Sequence, residues 1–201
     1  MQKKIVMIIA LCTAINLVLG SIVYLLKLPI YLDMIGTILC ALMIQYNRRL
    51  SFIAAAISGV SSFFLGGLVN PFLPWFSGSV VAVAAVTAFV TSRWYTELRT
   101  LPIPSTRFWV IIISTGVLTG FVAAIVSTPI VVYLFGGVTG SGSVALVAFF
   151  LKVGNQLLNA AILSGLTAEP VDKTLQVLIS VLLLRSTPNS FLKRFKDNFS
   201  D

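Results

Sequence analysis

Four polar side chains, Lys152, Asn155, Gln156 and Asn159, stand close together in a strongly apolar part of the chain. On a helix they fall at i, i+3, i+4 and i+7 and share one face. A lysine at bilayer depth costs ~2.5–3.5 kcal/mol on insertion scales, so it is tolerated where it faces a protein interior or a wet cavity. An ammonium beside three amides suits a ligand bearing a carboxylate, a phosphate or several hydroxyls. The other reading is a buried lysine paired with Asp33 for stability alone, but each of the four polar groups then needs a partner of its own.

Asp33 follows Tyr31-Leu32 and precedes Gly36-Thr37. A carboxylate there suits the start of a helix through the helix dipole. It also reads as part of an outer cavity, facing Lys152 or a ligand. Asn70 and Trp75 bracket a turn with two prolines, Asn70-Pro71-Phe72-Leu73-Pro74-Trp75, and tryptophan is enriched at membrane interfaces for its own sake. The stretch Gly136–Gly142 has almost no side-chain bulk. It lacks the lysine and the strand of a phosphate-binding loop and reads as a lid over an outer pocket.

Catalytic readings fail for want of residues. The chain has no histidine, which removes the commonest general base and the commonest metal ligand. An aspartyl protease within a membrane needs two aspartates, and only Asp33 stands near one. A serine–lysine dyad through Lys152 has no single serine to go with it. The chain reads as a binding protein rather than an enzyme, with no cofactor and no metal.

The elements that position these residues belong to a membrane. Hydrophobic residues make up 58% of the chain and charged ones 10%, and mean hydropathy is +1.02. Residues 50–92 and 108–151 carry no charge at all. A span needs ~20 apolar residues, so each run folds into two crossings. The net charge of +8 is explained by basic loops on the cytoplasmic side rather than by nucleic acid. Lys3–Lys4, Arg48–Arg49, Arg93/Arg99/Arg107 and Lys193/Arg194/Lys196 fall on alternate loops, which places both termini inside.

The expected architecture is an all-α integral membrane protein with six transmembrane helices. The spans are about 5–26, 32–46, 50–68, 77–92, 108–135 and 143–166. The apolar run Ile5–Leu26 is too long for a signal peptide and reads as the first span. Pro129 marks a kink or an early end of the fifth, and Glu169-Pro170 closes the sixth. A membrane domain over 1–170 is then followed by an interfacial amphipathic tail over 171–201, with Leu175, Leu178, Ile179, Leu182 and Leu183 at helical spacing. A seventh span over 171–184 is the alternative. Small residues four apart, at Ala10/Ala14, Ala55/Gly59, Ala84/Ala88 and Gly116/Gly120/Ala124, let helix backbones approach closely.

With these features the chain resembles the substrate-binding S component of energy-coupling factor (ECF) vitamin transporters. The likeness rests on size, on six expected spans with both ends inside, and on Ala10-x-x-x-Ala14 in the first span. The segments 28–37 and 136–142 also look like sequences of members without an assigned ligand, and the similarity runs to about residue 170. The resemblance implies a bacterial plasma-membrane protein that captures a micronutrient from outside. It further implies docking, through Ala10 and Ala14, on a transmembrane coupling subunit driven by two ATPase subunits. The expected ligand contacts are Lys152, Asn155, Gln156, Asn159, Asp33, Asn70, Trp75, Tyr31 and Thr139. The contrasting reading is a non-transporting membrane scaffold or assembly factor, working through the basic loop 93–107 or the tail.

Overall fold

A computed structural model of the chain describes residues 2–28, 30–138 and 144–188. It is a bundle of helices, with no strand among the described residues. α1 (Gln2–Leu25), α3 (Arg48–Gly66), α4 (Ser77–Thr100) and α5 (Thr106–Pro129) follow from the charge-free runs. A 3-10 turn, Leu73–Phe76, leads into α4. Four stretches, Lys3–Leu25, Arg48–Gly66, Leu73–Thr100 and Thr106–Leu134, are long and apolar enough to cross a membrane. Pro129 does not end the fifth. The helix continues beyond it as a π-helical segment, Ile130–Leu134, a wider coil that tolerates the bond the proline cannot make.

α2 (Ile35–Met43) has only nine residues, all of them buried. At 1.5 Å per residue it is about 13 Å long, well under the thickness of a hydrocarbon core. Its amino-terminal N–H groups are satisfied from neighbouring helices. Asn16 Oδ1 on α1 accepts from Gly36 N at 2.6 Å and from Thr37 N at 3.3 Å. Asn16 Nδ2 donates to Thr37 Oγ1 and Ser62 Oγ. Gly36 is required here: a Cβ would fall within 1.9 Å of the Cys12 carbonyl oxygen.

The last third of the chain departs from the sequence reading. α6 (Val144–Lys152) stops at the lysine. A break through Gly154, at φ +96°, precedes α7 (Leu157–Ser186), which is 30 residues long. Residue 170 is therefore no boundary, and 171–184 is neither an interfacial tail nor a separate span. It is the second half of α7, packed against α2, α4 and α5. The amphipathic stripe is real but inverted. Leu175, Leu182 and Leu183 face outward, while Asp172, Lys173, Gln176 and Ser180 are buried. Exposed apolar side chains over a polar interior suit lipid as the surrounding solvent.

α7 passes through Pro170 because α5 yields space to it. A Cβ on Gly116 would come within 2.3 Å of the Thr174 Cα, and one on Gly120 within 2.4 Å of the Pro170 Cα. The small residues of α5 thus serve contact between helices of this chain. Those on α1 do not: Ala10 and Ala14 both lie on its exposed face.

Candidate functional site

Glu169, Asp172, Lys173 and Gln176 share one face of α7, again at i, i+3, i+4 and i+7. The face points at the segment before α2, and the side chains there bind that segment to α7. Asp172 Oδ1 accepts from the backbone N–H groups of Tyr31 at 2.9 Å and Leu32 at 3.2 Å. Gln176 Oε1 accepts from Met34 N at 3.0 Å. Between these anchors Leu32 adopts a left-handed backbone, φ +48°, which costs ~1–2 kcal/mol for a residue with a Cβ. The turn it makes carries Asp33 into the bundle.

The result is a buried ion cluster. Lys173 Nζ lies 2.6 Å from Asp172 Oδ2, 3.2 Å from Glu169 Oε2 and 3.8 Å from Asp33 Oδ1. Lys173 is 1% exposed and Asp172 is fully buried. Asp172 is saturated, because Gln176 Nε2 also donates to its Oδ2 at 2.7 Å. Asp33 Oδ1 and Glu169 Oε2 are buried too, with Lys173 as their shared ionic partner, closer to Glu169 than to Asp33.

Asp33 and Glu169 both line a partly enclosed cavity, with about 90 Å³ open to water-sized spheres. One such sphere needs ~10–15 Å³, so the space holds several waters or a small organic group. Asp33, Tyr31, Asn70, Glu169 and Lys173 supply polar groups to its wall, as do Ser79 and Ser127. Tyr24, Phe63, Phe72 and Phe76 supply rings. Asn70 Oδ1 accepts from Phe72 N at 3.1 Å and shapes the turn that brings Phe72 and Phe76 in. Phe135, just past the π-helical segment, packs on both rings, at 4.9 Å from Phe72 and 6.0 Å from Phe76.

Of the residues expected from the sequence, Asp33, Tyr31 and Asn70 meet at this cavity. Asp33 does not cap α2, a task that falls to Asn16 and Gln176. The lysine beside Asp33 is Lys173, not Lys152. Lys152, Gln156 and Asn159 are exposed and outside the cavity. The helix that would align them breaks at 153–156, where Asn155 Nδ2 bonds back to the Phe150 carbonyl at 3.1 Å. Trp75 is 60% exposed; its ring meets Phe135 at 6.5 Å, outside the cavity. Thr139 and most of the glycine-rich lid lie outside the described residues.

Glu169 and Lys173 escape the sequence reading because Pro170 between them reads as a helix end. Their spacing with Asp172 and Gln176 is the signal that marks them. No protein-family model, curated protein or solved structure matches this chain.

Proposed function

We propose that this protein is the membrane-embedded substrate-binding subunit of an ECF-type uptake transporter, which takes a small polar micronutrient into the cavity between Asp33 and Glu169. The observation that carries the reading is a cavity lined by Asp33, Glu169 and Lys173, inside a bundle whose exterior is apolar. Ionisable groups kept at such depth face interiors or substrate paths and mark function by default. A scaffold has no use for a cavity of this kind.

Charge distribution supports the direction of capture. α1, α3 and α5 run one way, and α4 and α7 the other, with the short α2 buried among them. Lys3, Lys4, Arg48, Arg49, Arg93, Arg99, Arg107 and Arg185 gather at the end of the bundle away from the cavity. Lys27 and Lys152 are the exposed described cations at the other end, and Lys173 is the buried one beside the cavity. By the positive-inside rule the basic end is cytoplasmic, and the cavity opens outward. Ala10 and Ala14, exposed on α1, offer a close-packing face to a transmembrane coupling subunit, which two ATPase subunits would drive.

The test is to purify the full chain from cells grown in rich medium and identify bound small molecules by mass spectrometry. One stoichiometric molecule is expected on the wild-type protein and none on a folded Ser79→Phe variant, whose ring fills the cavity. An empty wild-type protein, with stability unchanged by the substitution, would support the scaffold reading instead.

A further inference from the structure

We propose that the cavity selects an organic cation, a protonated or quaternary amine attached to an aromatic or apolar body. The inference rests on the cavity being a small-molecule site and goes further in fixing the charge of its occupant.

Three of the six acidic residues of the chain meet one lysine here. Three carboxyl groups, those of Asp33, Asp172 and Glu169, surround the single ammonium of Lys173. The lysine is closest to Asp172, at 2.6 Å against 3.2 and 3.8 Å for the others, and Asp172 draws two backbone N–H groups and an amide besides. Asp33 and Glu169 are left sharing the remainder of one ammonium. Both are buried, with side chains 12% and 11% exposed, and both lie farther from the ammonium than Asp172 does. Two buried carboxyl groups that share part of one ammonium can take a second cation between them, which gives each a closer counter-charge.

The rest of the wall fits the same occupant. Tyr24, Phe63, Phe72 and Phe76 turn toward the cavity that Asp33 and Glu169 border. Aromatic faces attract cations, and more so when water is excluded. One ring is already used in this way, with Lys173 Nζ 5.5 Å from the Tyr31 centroid. A bare divalent metal ion fits poorly, since it needs six or more oxygens around it and most of this wall is carbon. An anion, the charge expected from a site built on Lys152, would meet two carboxylates.

Three probes of similar size separate the possibilities: benzyltrimethylammonium, benzyl alcohol and benzoate, titrated calorimetrically into the purified full chain in detergent. The cation is expected to bind at least about tenfold more tightly than the alcohol, and benzoate not at all. Glu169→Gln, which keeps shape and removes charge, is expected to weaken the cation about tenfold and leave the alcohol unchanged. Selectivity on the wild-type protein carries the test if that variant does not fold. Equal or tighter binding of benzoate or the alcohol overturns the charge assignment and leaves the cavity a small-molecule site. Any molecule found on the purified protein is read likewise: a cation supports the proposal, a neutral or anionic one overturns it. A protein that carries nothing and binds none of the probes ends both readings.

Discussion

Gly120 of α5 lies against Pro170 of α7 so closely that a Cβ on the glycine would come within 2.4 Å of the proline Cα. Backbone meets backbone there, and a side chain forces the helices apart. Gly120→Ala is expected to destabilise the fold by about 1–3 kcal/mol through overpacking. Gly78→Ala is the control, because its nearest neighbour stands 3.9 Å away. Thermal unfolding in detergent, followed by tryptophan fluorescence, compares the two. Equal midpoints would mean that the α5–α7 seam is looser than described.

Lys173 is the counter-ion of three carboxylates, while Lys152 is exposed. Lys173→Met removes one side of a buried ion cluster and is expected to cost about 3–5 kcal/mol. Lys152→Met is expected to leave the unfolding midpoint where it is. If Lys152→Met proved the more damaging change, the assignment of the buried cation would be reversed.

Asn16→Leu removes the acceptor of the Gly36 and Thr37 amides and the donor to Thr37 and Ser62. Each buried polar group left unpaired costs about 1–3 kcal/mol. The expected signature is local: hydrogen exchange at Gly36 and Thr37 speeds up before that of α3 or α4. Uniform change across the bundle would deny Asn16 its capping role.

Ala10 and Ala14 face outward, so Ala10→Leu with Ala14→Leu is expected to leave stability and ligand occupancy within error. Uptake by cells that carry the coupling subunits is expected to fall to background if these residues form the docking face. Uptake that survives both substitutions would move docking to another helix.

Much of the fold is legible in the chain because charge-free runs and turn prolines leave few alternatives for α1, α3, α4 and α5. The site is harder, and the reason is specific. Two sets of polar residues share one template: 152, 155, 156 and 159, and 169, 172, 173 and 176. Local rules favour the first, since no proline interrupts it, and disfavour the second, which straddles Pro170. Tertiary packing reverses both judgments. Gly154 and Asn155 end α6 after Lys152, while Gly116 and Gly120 open room for a continuous helix through the proline. Tyr31 and Asn70 are expected near a cavity from the sequence because they sit in turns beside helices, and Asp33, expected at the start of the second span, lies just before α2. The depth at which Tyr31 and Asp33 meet α7 is set by Asp172 and Gln176, more than 130 residues away in the chain.

The enclosure of α2 sets it apart from its neighbours. Helices that touch acyl chains tilt or stretch as a bilayer thickens or thins. Those nine residues are all buried among the other helices, so in a bilayer they would offer lipid little direct contact. The segment that carries Asp33 hangs from this sheltered piece and from α7, and inherits its insulation from changes in lipid composition.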